Sequence, residues 1–150
     1  LARQPVNLSQ LAGFVVDDLR RSAPEREARI EIEPGLAATG DPTLLRLVLE
    51  NLLGNAWKYS ARRAQAHIVF GRETVDGRPA FVVRDNGAGF DMRSAERLFG
   101  LFQRLHSASE FSGTGVGLAS VRRIVQRHGG EIWADGEPGR GAAFFFTLPG

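Results

Sequence analysis

An α/β sandwich, with a mixed and largely antiparallel sheet under three main helices, is the fold that this 150-residue sequence predicts. Three observations point there. Three segments carry apolar residues at helical spacing, five short stretches read as strands, and two glycine turns join neighbouring strands.

In chain order, Ser9 opens a predicted helix to about Ser22, with Leu11, Phe14, Val15 and Leu19 at helical spacing and Pro24 beyond its end. Residues 29–33 (Arg-Ile-Glu-Ile-Glu) alternate as a short strand. Asp41 and Pro42 form an N-cap with proline at the first helical position, opening a strongly apolar helix to about Tyr59. Two strands follow at 65–73 and 79–85, joined by a turn at Asp76 and Gly77. Residues 87–113 hold glycines, serines, arginines and short helical pieces but no long regular element, which marks a lid or binding segment. A third helix runs from Gly117 to His128, stopped by Gly129 and Gly130. Two last strands, 131–135 and 142–148, make a hairpin around 136–141.

The bulk properties narrow the class. With 43% hydrophobic residues the chain fits one globular domain, 1–150. No apolar run approaches the roughly 20 residues of a membrane span. No signal peptide opens the chain, and the start Leu-Ala-Arg-Gln-Pro reads as a cut inside a longer protein. There is no cysteine, so a cytoplasmic, reducing location is expected. The net charge is only +2 despite a pI near 9.9, because the bases are almost all arginine, spread over many elements. That argues against nucleic acid as a partner.

Three motifs carry chemistry. On the helix after Asp41, Asn51, Asn55, Lys58 and Tyr59 follow i, i+4, i+7, i+8 spacing and share one face. A solvated stripe usually uses Glu, Lys and Arg, whereas asparagine is a mediocre helix former. Amide oxygens can ligate Mg²⁺, the only lysine of the chain offers a point charge to phosphate, and tyrosine offers a flat face to a base. The second motif ends a strand with Asp85, followed at once by Gly87 and Gly89. It reads as a turn, or as a carboxylate that accepts from an adenine amine while the glycines let backbone come close. The third, Gly113-Thr114-Gly115-Val116-Gly117-Leu118, runs into a helix start, where free N–H groups favour an anion. It lacks the Gly-Lys-Ser/Thr of a P-loop, and Leu118 stands where a dinucleotide fingerprint needs glycine.

In this order the motifs resemble the catalytic, ATP-binding domain of sensor histidine kinases, within the ATPase superfamily shared with gyrase, Hsp90 and MutL. The resemblance spans about Val6 to Pro149. It covers an N box (Asn51 to Ser60), a first glycine box (Asp85 to Phe90), an F box (Phe99 to Phe102), a second glycine box (Gly113 to Leu118), and a closing turn at Gly139 and Gly141. The stretches from Phe102 to His106 and from His128 to Trp133 are most similar to kinases attached to PAS or phytochrome sensors. The implied fold is the Bergerat sandwich with an ATP lid.

The resemblance implies that Asn55 ligates Mg²⁺ with Asn51 beside it, that Lys58 contacts phosphate, and that Tyr59 lies against the nucleotide. It further implies that Asp85 binds the adenine amine, helped by Gly87 and Gly89, and that Arg104 approaches the γ-phosphate. Gly113, Thr114, Gly115, Val116 and Gly117 would form the lid and its phosphate contacts, with Leu118 near the base. Hydrolysing relatives carry Glu where this chain has Asn51, an amide that cannot act as a base, while Glu50 lies about 100° round the helix. Phosphotransfer from ATP is therefore expected over hydrolysis. An ATP-hydrolysing relative, a degenerate partner-binding module and a Ser/Thr-directed kinase are the alternatives.

The family's phosphoacceptor histidine sits in a separate helical hairpin and is followed by an acidic residue. His67, His106 and His128 all lack that context and are read as structural. The expected partner is an upstream dimerisation and phosphoacceptor domain, with a response regulator engaged indirectly and no membrane contact by this domain.

Overall fold

The computed structural model describes residues 1–90 and 116–149, so the F box, Arg104, His106 and residues 113–115 lie outside the described residues. The element order is β1 (Gln4–Asn7), α1 (Leu8–Ser22), β2 (Ala28–Ile32), β3 (Ala37–Gly40), α2 (Pro42–Tyr59), β4 (Ala66–Val75), β5 (Arg78–Asp85), α3 (Val116–Arg127), β6 (Ile132–Glu137) and β7 (Gly141–Phe146). A five-stranded sheet has the order β2-β4-β5-β7-β6. Among the described residues only β2 and β4 pair in parallel, and the helical crossover such a pair requires is supplied by α2. The predicted mixed, mainly antiparallel sheet with three helices is therefore what forms.

Two short strands escape the sequence reading. β1 and β3 pair antiparallel in a separate two-stranded sheet, with Val6 opposite Ala38. Their four residues each offer too little alternation to register as strands. The first helix also starts earlier than expected. Asn7 is the cap, its side chain accepting from Gln10 N–H at 3.0 Å. Ser9 sits inside the first turn instead, where its Oγ donates to Glu33 O at 2.6 Å and accepts from Leu36 N–H at 2.9 Å. Phe14, expected on the apolar face, is exposed, while Ala12, Val15 and Val16 are buried.

α2 begins as predicted. Asp41 Oδ1 accepts from Thr43 and Leu44 N–H at 3.0 and 3.2 Å, with Pro42 at the first position. The turn from β4 to β5 places both Asp76 and Gly77 at positive φ, 51° and 79°, matching the right-handed twist of a two-residue hairpin. α3 stops where Gly129 adopts φ 84° and Gly130 N–H bonds back to Val125 O at 3.0 Å.

The helices cover one face of the sheet. Leu45, Val48, Leu49, Leu52 and Leu53 of α2 and Val121 and Val125 of α3 pack with Ile68, Phe70, Phe81, Val83, Phe144 and Phe146 into one core. Phe81 lies 6.4 Å from Phe70 and 5.3 Å from Phe146, ring centre to ring centre. The opposite face carries a smaller layer of Ala80, Val82, Ala143 and Phe145. There Trp133 stacks on Phe145 at 5.4 Å and Arg84 covers the same ring at 5.4 Å. Glu73 holds that guanidinium through two bonds of 2.7 Å. Among the described residues no helix is long and apolar enough to cross a membrane.

Candidate functional site

On α2 most apolar side chains turn inward, though Leu47 is exposed, whereas Asn51, Asn55, Lys58 and Tyr59 are half-buried along another face. The helix is thus polar along one margin of the core, as their spacing predicts. Asn51 is already engaged. Its Nδ2 donates to Leu47 O at 2.8 Å, and its Oδ1 stands where a side chain on Gly117 would have to begin. Glycine at 117 lets the start of α3 come within contact of Asn51, which ties the first motif to the end of the third. Among the described residues no carboxylate pairs with Lys58. Ser60, which closes the N box, is fully buried and donates to Ala56 O at 2.6 Å, finishing the helix.

The first glycine box meets this helix at its C-terminal end. Ala88 N–H donates to Tyr59 O at 3.0 Å, and a Cβ on Gly87 would lie 2.5 Å from that same carbonyl. Gly89, at φ 69°, would collide with Glu137 O if it carried a side chain. The close approaches these two glycines permit are therefore to the protein's own backbone. Phe90 ends the box by burying its ring 6.2 Å from Phe144, over Gly136.

Asp85 ends β5 between these parts. Its Oδ1 accepts from Gly87 N–H at 2.8 Å. Loss of water raises its carboxyl from 3.8 to about 6, against the opposing pull of the Gly87 and Ala142 N–H groups and of the Arg63 charge. Tyr59 is pushed upward as well, first by burial and then by the negative charge of Asp85. The two side chains thus sense one another, the charge of Asp85 adding to burial in favouring the neutral phenol.

Leu118 is buried in the main core near the start of α3. Arg104, Gly113, Thr114 and Gly115 lie outside the described residues, and Val116 is described only as the first residue of α3. Among the described residues there is no group of three His, Asp or Glu able to hold a metal. A cation here would rely on amide oxygen, water and ligand phosphate, a set that suits Mg²⁺.

Sequence reasoning passed over Arg63, which donates to Asn86 O at 2.7 Å, Gly87 O at 3.0 Å and Gly139 O at 2.5 Å. It is one of many scattered arginines, and no local pattern marks it. His128 is structural as expected. It is buried, donates from Nδ1 to Ile124 O at 2.9 Å and accepts at Nε2 from Asp41 N–H at 3.1 Å. His67 is half-exposed on the sheet and lies 2.7 Å from Glu31 Oε2.

The two-layer sandwich thus presents a polar helix face, a carboxylate at a strand end and a helix start packed on Asn51 through Gly117. Residues 40–150 match the family described as histidine kinase-, DNA gyrase B- and HSP90-like ATPase, and the chain belongs to that family. Over 150 residues it is 37% identical to cyanobacterial phytochrome A of Nostoc sp., covering 99% of this chain and 19% of the relative. It is 48% identical over 101 residues to the methanogenesis regulatory histidine kinase FilI of Methanothrix harundinacea, covering 67% of this chain and 11% of that one. The chain thus spans about a fifth or less of these relatives. Its fold matches the mycobacterial sensor histidine kinase MprB with a TM-score of 0.79 at 26% identity, over 98% of each chain. It matches full-length ShkA, solved in complex with AMPPNP, with a TM-score of 0.79 at 29% identity, over 99% of this chain and 31% of that one.

Proposed function

We propose that this chain is the catalytic domain of a sensor histidine kinase. It binds ATP with Mg²⁺ and donates the γ-phosphoryl to a histidine on a separate dimerisation domain, from which a response regulator is served. The observation that carries the reading is the meeting of Tyr59 and Asp85, where the first glycine box bonds to the last carbonyl of the polar helix face. In this reading that junction supplies one wall of the nucleotide site from two motifs. The AMPPNP complex of ShkA, a structure of the same fold, supports a nucleotide as the ligand.

In this reading Asp85 accepts from the adenine amine, Tyr59 lies beside the base, and Lys58 offsets phosphate charge. Asn55 would hold Mg²⁺, which, when bound, neutralises charge on the transferring phosphoryl group. Arg104, residues 113–116 and Gly117 complete the phosphate contacts that the family resemblance implies, with Leu118 near the base. The imidazole that attacks the phosphoryl belongs to another domain, so docking supplies the in-line geometry.

Hydrolysis is disfavoured because, among the described residues, no base stands on the polar face. Asn51 is an amide that donates to Leu47 O, and Glu50 is exposed beside Arg46 at 3.9 Å. A general base has to lie within hydrogen-bond reach of the attacking water. The experiment is ATP titration of this chain with and without Mg²⁺, followed by incubation with a dimerisation hairpin carrying the acceptor histidine. Expected are Mg-dependent binding, little phosphate release, and an acid-labile phosphate on the hairpin. Steady phosphate release by the chain alone would favour the ATPase alternative, and a blank titration would favour a partner-binding module.

A further inference from the structure

The loop that follows Asp85 leaves the sheet at the end of β5, and the carbonyls of residues 86–88 are held from other elements. Asn86 is fixed from one side by β4, through His67 N–H to Asn86 Oδ1 at 2.9 Å and Asn86 Nδ2 to Gln65 O at 3.1 Å. From the other side the turn between β6 and β7 reaches in, with Gly139 N–H donating to Ala88 O at 2.7 Å. Arg63 occupies the point where these meet. It follows the end of α2 in a turn closed by its own N–H on Ser60 O at 3.1 Å. Its guanidinium takes three backbone carbonyls, those of Asn86, Gly87 and Gly139, from two separate loops. Tyr59, Arg62, Arg63 and Ala88 also line a cavity of about 200 Å³ beside the same loop.

We propose that Arg63 is a positioning residue for purine recognition, clamping the first glycine box to the closing glycine turn so that the Asp85 carboxylate is held at the base site. This rests on the nucleotide reading given above. A planar fork of five N–H donors can satisfy three convergent carbonyls, whereas an ammonium is a point donor and an apolar side chain leaves all three facing one another. The same cation favours the ionised form of Asp85. Other charged or titratable groups near that carboxyl are Tyr59 on α2 and, along a groove of about 420 Å³ on its other flank, Arg84, Asp135, Glu137 and Arg140. Arg84 is paired with Glu73, and Arg140 with Glu137 at 3.5 Å. Among the described residues, Arg63 is therefore the cation whose loss Asp85 feels.

The test measures binding of ATP and of inosine triphosphate, which lacks the exocyclic amine, from pH 5 to 8, alongside thermal unfolding. The proteins are wild type, Arg63→Ala and Arg63→Lys. Arg63→Ala is expected to weaken ATP about tenfold, the scale of one lost charge-assisted hydrogen bond, and to narrow the preference for ATP over inosine triphosphate. The acid limb of ATP binding should move to higher pH. Arg63→Lys should keep the wild-type acid limb without recovering the affinity. An unchanged nucleotide preference and acid limb in Arg63→Ala would overturn the proposal, even if unfolding came earlier or both nucleotides weakened equally. Wild-type protein that binds neither nucleotide would overturn the nucleotide reading, and this role with it. Wild-type binding with Arg63→Ala unaltered overturns the role alone.

Discussion

At Asp85 the loss of water lifts the carboxyl to about 6, while two backbone N–H groups and Arg63 pull it back. The folded value lies above the ordinary 3.8, so the acid form is the one that folding favours. Whatever stability this group contributes is present below pH 3.8 and is lost as the pH rises through about 6. Asp85→Asn retains an oxygen acceptor for Gly87 N–H and removes the charge. Its expected effect at pH 7 is a gain of about 2 kcal/mol in denaturant unfolding, together with a large loss of ATP affinity. Inosine triphosphate should lose much less, and equal losses for both nucleotides would remove Asp85 from the base site. In the wild-type protein the affinity for ATP should fall as the pH drops below about 6, because protonation converts an acceptor into a partial donor. Asn55 is the other residue with a sharp expectation. Asn55→Ala should abolish the Mg-dependent part of ATP binding, and wild-type affinity in that variant would refute its role.

Where α2 meets α3, the contacts are of two kinds. At one end, Asn51 Oδ1 abuts Gly117, which admits no side chain. Alanine at 117 would gain helix propensity worth about 1 kcal/mol but has to displace the Asn51 amide. Gly117→Ala is therefore expected to leave the melting temperature nearly unchanged while weakening Mg-dependent ATP binding in calorimetry. At the other end, His128 joins the last turn of α3 to the cap of α2 through Asp41 N–H, and Gly40 packs so closely that a Cβ there would lie 2.7 Å from the ring. His128→Ala leaves a cavity and an orphaned N–H, so a loss of about 3 kcal/mol in unfolding free energy is expected.

Among the described residues, one sheet face is covered by helices and the other by side chains alone. On the open face the Trp133 ring and the Arg84–Glu73 pair shield Phe145, which is only 6% exposed. On the helical side α2, the loop after β5 and the turn before β7 converge, and the proposed nucleotide site lies at this junction. Ligand binding at such a junction stabilises all three at once. With MgATP at a hundred times its dissociation constant, mass action supplies about 2.7 kcal/mol, and the melting temperature should rise by about 5 to 10 °C. Chelating the metal should remove most of that rise, and a melting curve indifferent to MgATP would contradict the nucleotide reading.

The readable parts of the site were those with local signatures. Asn51, Asn55, Lys58 and Tyr59 declare a shared helix face by spacing, and half-burial agrees with it. Asp85 with Gly87 and Gly89 declares a strand end and a turn. The reason both glycines are needed was not readable, because the atoms that exclude a side chain, Tyr59 O and Glu137 O, come from distant elements. Phe14 misled for a related reason. Helical spacing fixes which residues share a stripe, while the packing of neighbours decides how wide the buried stripe is.

By itself the sequence determined the mixed sheet with three helices, the cap at Asp41, the glycine stop after His128 and the order of the three motifs. These follow from periods of two and 3.6 residues and from caps that act within one turn. Only the tertiary structure decided that β1 pairs with β3, that His128 serves α2, and that Arg63 gathers carbonyls from residues 86, 87 and 139. A backbone carbonyl is the same group in every residue, so its partner across the fold leaves no mark in the sequence around it.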